Sequence, residues 1–227
     1  MAESALIVGA GSGLSAALAR LLAKAGMRVA LAARHTEKLA ALAAETGAGT
    51  YQCDASEPRD VEALFAAVTA ASGAPDLVIY NPSYRARGAF VELDQQEVLK
   101  SLVVTAYGGF LVAQAAVREM LARGSGTLLF TGASASVKGY ARSAPFAMGK
   151  FALRGLAQSL ARELAPQNIH VGHVVIDGGI AAADRRGSGP DAMLDPAAIA
   201  AEYLHLHRQQ RSAWTWEIEV RPWVETF

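Results

Sequence analysis

At 227 residues the chain is longer than most single domains but within reach of one α/β sheet with a continuous core. Its 21 Lys+Arg balance its 21 Asp+Glu, and the cations are scattered, Arg185 and Arg186 alone making no patch, so the electrostatic footprint of a nucleic-acid binder is missing. No run approaches the ~18 apolar residues that span a bilayer, and Cys53, the only cysteine, excludes an internal disulfide and every Cys-cluster metal site.

Short apolar runs alternate with longer stretches of helical period, the pattern of repeated βα units around a parallel sheet. Ala5 to Gly9 predicts a first strand, and Gly13 to Ala25 a helix with Leu14, Leu18, Leu21 and Leu22 on one stripe, ended by Gly26. Arg28 to Ala33 follows as a second strand, with Thr36 as cap of the next helix. Thr50 to Cys53 makes a brief third strand, after which Ser56 and Pro58 open a helix carrying Val61, Leu64, Phe65 and Val68.

Asp76 to Tyr80 predicts the fourth strand, and Asp94 with Glu97 opens a long helical stretch to Ala122, interrupted near Gly108 and Gly109 and stopped by Gly124. Thr127 to Thr131 is a fifth strand, Pro145 to Ala165 a helix, and Ile169 to Ile176 a sixth strand apolar enough to be buried on both faces. Asp195 and Pro196 begin a last helix, and Trp214 to Val220 alternates as a seventh strand. The expected architecture is one doubly wound α/β domain over residues 1–227, with about seven mostly parallel strands and helices on both faces. Met1 leads into Ala5 to Val8 without a cationic flank, which predicts a cytoplasmic protein without a signal peptide.

"LIVGAGSGLSAALA" places Gly9, Gly11 and Gly13 between the first strand and helix, where backbone amides at a helix N-terminus suit a pyrophosphate. The spacing is not GxGxxG. It reads as GxxxGxG, in which Gly9 turns the chain, Gly13 allows close approach and Ser15 takes the small-residue position. Arg34, at the end of the second strand, offers a cation to a 2′-phosphate where an acidic residue would suit a free 2′-hydroxyl, favouring NADP over NAD.

Together with "CDAS", "DLVIYNPS", "GTLLFTGASAS", "FAMGKFALRGLAQSLARELAPQNIHV" and "IDGGI", this loop resembles the short-chain dehydrogenase/reductase family along nearly the whole chain. The resemblance implies a Rossmann-type fold and an NADP site formed by Gly9, Gly11, Ser12, Gly13, Leu14, Arg34, Asp54, Ala55, Asn81, Pro82, Lys150, Gly178 and Ile180. By the same likeness Lys150 grips the nicotinamide ribose, while the catalytic tyrosine four residues earlier is Phe146. The family's helix asparagine falls at Thr105, its serine at Ala133 or Ser134, and the proline after strand six at Asp177.

A phenyl ring cannot give or take a proton, so the sequence leaves Tyr140, Ser134, Ser136, Ser143, Tyr84, Asp177 or a water held by Lys150 as replacement donors. Asp177 also reads as a DG turn and Tyr140 as cover for apolar surface. His170 with His173, and His205 with His207, lack metal-ligand spacing, and no metal is expected. Trp214, Trp216 and Trp223 read as core or subunit packing residues. The expected function is an NADP-dependent oxidoreductase of a small carbonyl or alcohol with a non-standard proton donor. The alternative is a dinucleotide-binding protein without turnover, serving as a sensor or assembly partner. The resemblance also implies a homo-oligomer, dimer or tetramer, with a small-molecule substrate and neither nucleic acid nor membrane as partner.

Overall fold

The computed structural model describes residues 2–182, 185 and 187–225; Arg186 lies outside them. Seven strands form one sheet: β1 (Ser4–Val8), β2 (Arg28–Ala33), β3 (Gly49–Gln52), β4 (Leu77–Tyr80), β5 (Gly126–Thr131), β6 (Ile169–Ile176) and β7 (Glu217–Val220). Their order is β3-β2-β1-β4-β5-β6-β7, and every pairing is parallel.

The helices are α1 (Leu14–Lys24), α2 (Ala40–Thr46), α3 (Pro58–Ser72), α4 (Gln95–Leu102), α5 (Gly108–Arg123), α6 (Ala144–Leu164) and α7 (Pro196–His207). Strand alternation divides the core between the two faces of the sheet. Ile7, Leu31, Ile79 and Leu129 pack with Leu18 and Leu22 of α1 and Tyr203 of α7. Their neighbours Leu6, Val8, Val78, Tyr80 and Phe130 pack with Val61 and Phe65 of α3, Val112 of α5 and Leu153 of α6. All eight residues of β6 are buried, as a strand covered on both faces requires.

The chain runs from β1 outward to β3, then returns to place β4 on the other side of β1. That reversal opens a crevice beyond the carboxyl ends of β1 and β4. It is narrow at its base, where the Asn81 amide donates to the Val8 carbonyl at 3.0 Å.

Two local expectations are corrected, at Thr36 and at Trp214, and a third, the interrupted helix, is borne out. Thr36 makes no capping bond and starts a 3₁₀ turn, Thr36–Leu39, ahead of α2. The long helix is interrupted by a π turn at Val103–Tyr107, just before Gly108; such turns shift the register of everything after them. Finally, β7 begins at Glu217, because Trp214 leaves the strand path to stack on His170, with ring centroids 4.7 Å apart.

The absence of a long apolar run needs a further qualification. Gln95–Arg123 is a continuous 29-residue helical stretch, long and apolar enough by length and composition to match a bilayer. It is nonetheless packed into this fold: Asp94 caps it through the Gln96 and Glu97 amides, Thr69 of α3 donates to Glu119 at 2.8 Å, and Tyr80 donates to the Val104 carbonyl at 2.5 Å.

Candidate active site

The crevice at the strand reversal holds a cleft of about 470 Å³ lined by Gly9, Gly11, Ser12, Arg34, His35, Lys38, Asp54, Ala55, Asn81 and Pro82, among others. Gly9 adopts φ +79, and a Cβ there would stand 2.7 Å from Pro82, so this turn needs glycine twice over. Ser15 donates to the Gly9 carbonyl at 3.1 Å and accepts from the Asn81 side chain at 2.8 Å. The β1 turn, the first turn of α1 and the end of β4 are thereby tied together.

A Cβ at Gly11 or Gly13 would meet nothing within 4 Å, so the loop's backbone faces open space at the N-terminus of α1, which suits an anion. Leu14 does not line the cleft; its side chain is buried in the core beneath α1, and Gly13 is the residue preceding that helix. At the far end, Asp54 accepts from the Ser56 amide at 3.0 Å and hydroxyl at 2.6 Å. Burial opposes ionisation of Asp54, but these bonds and nearby Arg34 hold its carboxyl below the usual range. Cys53 is buried, and burial with Asp60 and Asp54 pushes its thiol up to about 12, so it is no nucleophile.

A second pocket, about 620 Å³, opens around Ser134, Tyr140, Ser143, Phe146, Asp177, Gly178 and Gly179. Phe146 and Lys150 lie one turn apart on α6, with the ammonium 5.9 Å from the ring centroid. Lys150 is 2% exposed and donates to the Thr131 carbonyl at 2.6 Å. Burial, with like-charge repulsion from Arg85, brings it down to about 7.

Thr105 lies in the π turn, fully buried, and accepts from the Tyr84 amide at 3.2 Å. A Cβ on Gly149 would stand 2.9 Å from the Thr105 Cβ, so the π turn and α6 touch directly beside Lys150. Of the two alternatives after β5, Ser134 lines the pocket, whereas Ala133 is buried against Ala135 and Phe146. Ile180 lies past Gly179, bridged to Leu194.

The remaining donor candidates separate by their partners. The Tyr84 hydroxyl is bonded to Glu97, and the Ser136 hydroxyl accepts from the Ala133 amide at 3.1 Å. Asp177 is 2% exposed and paired with Lys138 at 3.2 Å and Arg221 at 3.0 Å, which makes it an ionic brace. Ser134, Tyr140 and Ser143 face the pocket.

The tryptophans and histidines lie elsewhere. Trp216 packs under Arg154 at 5.5 Å, whereas Trp223 is 78% exposed and so is no core residue. His173 bonds Glu217 at 2.9 Å, His170 bonds the Thr215 carbonyl, and no cluster of three metal-ligating side chains occurs among the described residues.

Sequence reading missed the basic character of the second pocket. Arg85 and Arg87, from the loop after β4, and Arg142, ahead of α6, all line it. The Arg85 guanidinium covers the face of Phe146. The available signal was "SYRARG", two arginines two residues apart directly after a strand end at the functional edge of the sheet.

The short chain dehydrogenase family model matches residues 3–188. Carbonyl reductase family member 4 of Danio rerio is 28% identical over 174 residues, covering 75% of this chain and 73% of its own. A putative ketoacyl reductase of Streptomyces coelicolor is 31% identical over 179 residues, covering 76% of this chain and 69% of its own. Among solved structures, a short-chain dehydrogenase from Rhodopseudomonas palustris is 35% identical with a TM-score of 0.85, covering 97% of this chain and 99% of the other. A metagenomic short-chain oxidoreductase in complex with NADP is 27% identical with a TM-score of 0.86, covering 98% of both chains.

Proposed function

The chain belongs to the short-chain dehydrogenase family, and from that premise we propose that it is an NADP-dependent oxidoreductase of a small carbonyl or alcohol, acting as one domain, whose proton donor is not a tyrosine on α6. The observation that carries this reading is the cleft at the strand reversal, where an open glycine loop lies at one end and Arg34 and Lys38 lie beyond β2. The NADP-bound state of the 27% identical oxidoreductase supports the same cofactor.

Gly11, Ser12 and Gly13 would receive the pyrophosphate at the start of α1, Arg34 the 2′-phosphate, Asp54 and Ala55 the adenine end, and Asn81, Pro82, Gly178 and Ile180 the nicotinamide end. The cofactor supplies hydride chemistry; the chain supplies position and polarity. Lys150, anchored on the Thr131 carbonyl, would hold the ribose and, with an ammonium brought down to about 7, would hold or pass a proton at Nζ. A positioned acid contributes roughly 10²–10⁴ in rate. With Phe146 inert, that part falls to a hydroxyl of Ser134, Tyr140 or Ser143 or to water, and Thr105 fills space where the family asparagine would act.

A second reading, dinucleotide binding without turnover, draws on one specific observation: Phe146 is 5% exposed and covered by Arg85, so no acid stands at that point. Titration with NADPH and NADH, followed by NADPH consumption over a carbonyl panel, separates the two. Turnover that Lys150→Ala abolishes supports the enzyme; tight binding with no turnover by the parent supports the binding protein. Leu99, Tyr107, Phe110, Leu121, Met148 and Phe151 are exposed apolar residues of the α4 to α6 region, and a homo-oligomer would cover them.

A further inference from the structure

We propose that the pocket beside Phe146 binds the anionic group of its substrate, a carboxylate or phosphate carried by a small carbonyl compound. The proposal deepens the oxidoreductase reading above and rests on it for the carbonyl.

Arg85, Arg87 and Arg142 converge on this pocket from two loops, and among the described lining residues Glu225 is the one acid not already paired, since Asp177 is held by Lys138 and Arg221. None of the three arginines has an ion pair with the described residues, whereas Arg20, Lys100, Arg123, Lys138, Arg154 and Arg221 are each paired with a carboxylate. Surface cations without counter-charges are ordinary when they point apart into solvent. These are gathered: Arg85 is held below its usual range by burial and then by repulsion from Arg87 and Arg185. An anion in the pocket removes that repulsion and replaces lost hydration with charge-assisted hydrogen bonds.

The backbone adds an independent observation. Arg142 adopts φ 60, a left-handed conformation that a long side chain rarely takes and that clusters at ligand sites. Its carbonyl accepts from the Gly88 amide at 3.2 Å, joining its loop to the one that carries Arg85 and Arg87. A glycine would suit that φ without strain, so the arginine side chain is held there at a cost. The nucleotide's phosphates do not explain the cluster, because the glycine loop and Arg34 line the other cleft.

The test is equilibrium binding by calorimetry to protein loaded with NADP⁺, which cannot reduce a ketone. Two matched pairs serve as probes: 2-oxobutyrate with its methyl ester, and dihydroxyacetone phosphate with dihydroxyacetone. At least one charged member should bind at least about tenfold more tightly than its neutral counterpart, and the preference should weaken with added salt. Which pair shows it tells carboxylate from phosphate. Arg87→Gln and Arg142→Gly, the latter compatible with φ 60, should each reduce the preference by about threefold or more while leaving NADP⁺ affinity unchanged. Arg87→Lys, which keeps the charge, should retain part of it. Equal affinity for charged and neutral members, or a preference that the variants leave intact, would overturn the proposal. Failure of NADP⁺ to bind would instead strike the oxidoreductase reading; the same titrations on cofactor-free protein then still decide whether the arginines hold an anion.

Discussion

The Arg85 guanidinium lies 4.3 Å from the centroid of the Phe146 ring, so the turn of α6 before Lys150 presents a covered phenyl face to the pocket. A phenol at the same point would have Arg85 over it and Lys150 beside it, both favouring its ionised form. Phe146→Tyr is therefore expected to raise kcat for carbonyl reduction at least about tenfold, part of the roughly 10²–10⁴ available to a positioned acid. Steady-state NADPH oxidation measures it; an unchanged kcat would mean that proton delivery does not limit turnover.

Lys150 titrates near 7 in the fold against an ordinary value of 10.5. The unfolded chain thus binds more protons between those two values, so stability rises as pH climbs through that window and the buried charge is costly below it. Lys150→Met should raise the melting temperature of the cofactor-free protein at and below pH 7, by ~2–4 °C for each kcal/mol recovered. The gain should shrink toward pH 10.5. NADPH affinity should fall in the same variant.

Arg34→Asp is expected to lower the preference for NADPH over NADH by about tenfold or more, since a charge-assisted contact becomes a repulsion. Fluorescence titration with both nucleotides reads this directly. Unchanged preference would place 2′-phosphate recognition on other residues of the cleft.

Gly9→Ala meets two obstacles together, a φ of +79 and a Cβ 2.7 Å from Pro82. A loss of roughly 1–3 kcal/mol in denaturant unfolding is expected. Because the same turn carries the Ser15 and Asn81 bonds, nucleotide affinity should fall with it. Gly11→Ala, whose Cβ would enter open space, should spare stability and weaken nucleotide binding alone.

His173 is buried, and burial outweighs its Glu217 partner, bringing it down to about 4 from 6.5. The unfolded chain takes up this proton first, so stability is intact above pH 6.5 and is lost as pH falls toward 4. Burial of Glu217 is outweighed by its bonds to Arg154 and His173, which hold it below the usual carboxylate range, adding a further loss at still lower pH. Urea unfolding across this range should show the decline, and His173→Leu should flatten it above pH 4. An unchanged slope would assign the acid sensitivity to other groups.

Much of the fold was legible because hydrophobic period carries it: β2 and β6 run over the residues that the apolar pattern marks, and the four-residue stripe of α3 is buried as its spacing requires. The glycine loop was legible from its place between the first strand and helix. The helix break was legible from Gly108 and Gly109, but its π geometry was not, since Val103–Tyr107 has no composition that distinguishes it from the α-helix around it. Trp214 was misread because a residue leaving a strand to stack on His170 keeps the alternation of one that stays. The arginine wall was only partly legible, for a different reason. "SYRARG" marks two of its members, but residues 85 and 87 meet residue 142 only after β5 has been laid beside β4, and no local pattern encodes that third contribution.

Asp177 joins Lys138, in the segment after β5, to Arg221, just past β7, so three stretches far apart in sequence are clasped by one carboxylate. Anyone reshaping this enzyme for a different reactant therefore inherits a constraint: replacing the stretch that carries Asp177 takes the carboxylate from Lys138, and replacing either of the others leaves a buried acid with one cation where it had two, so a workable graft carries all three along.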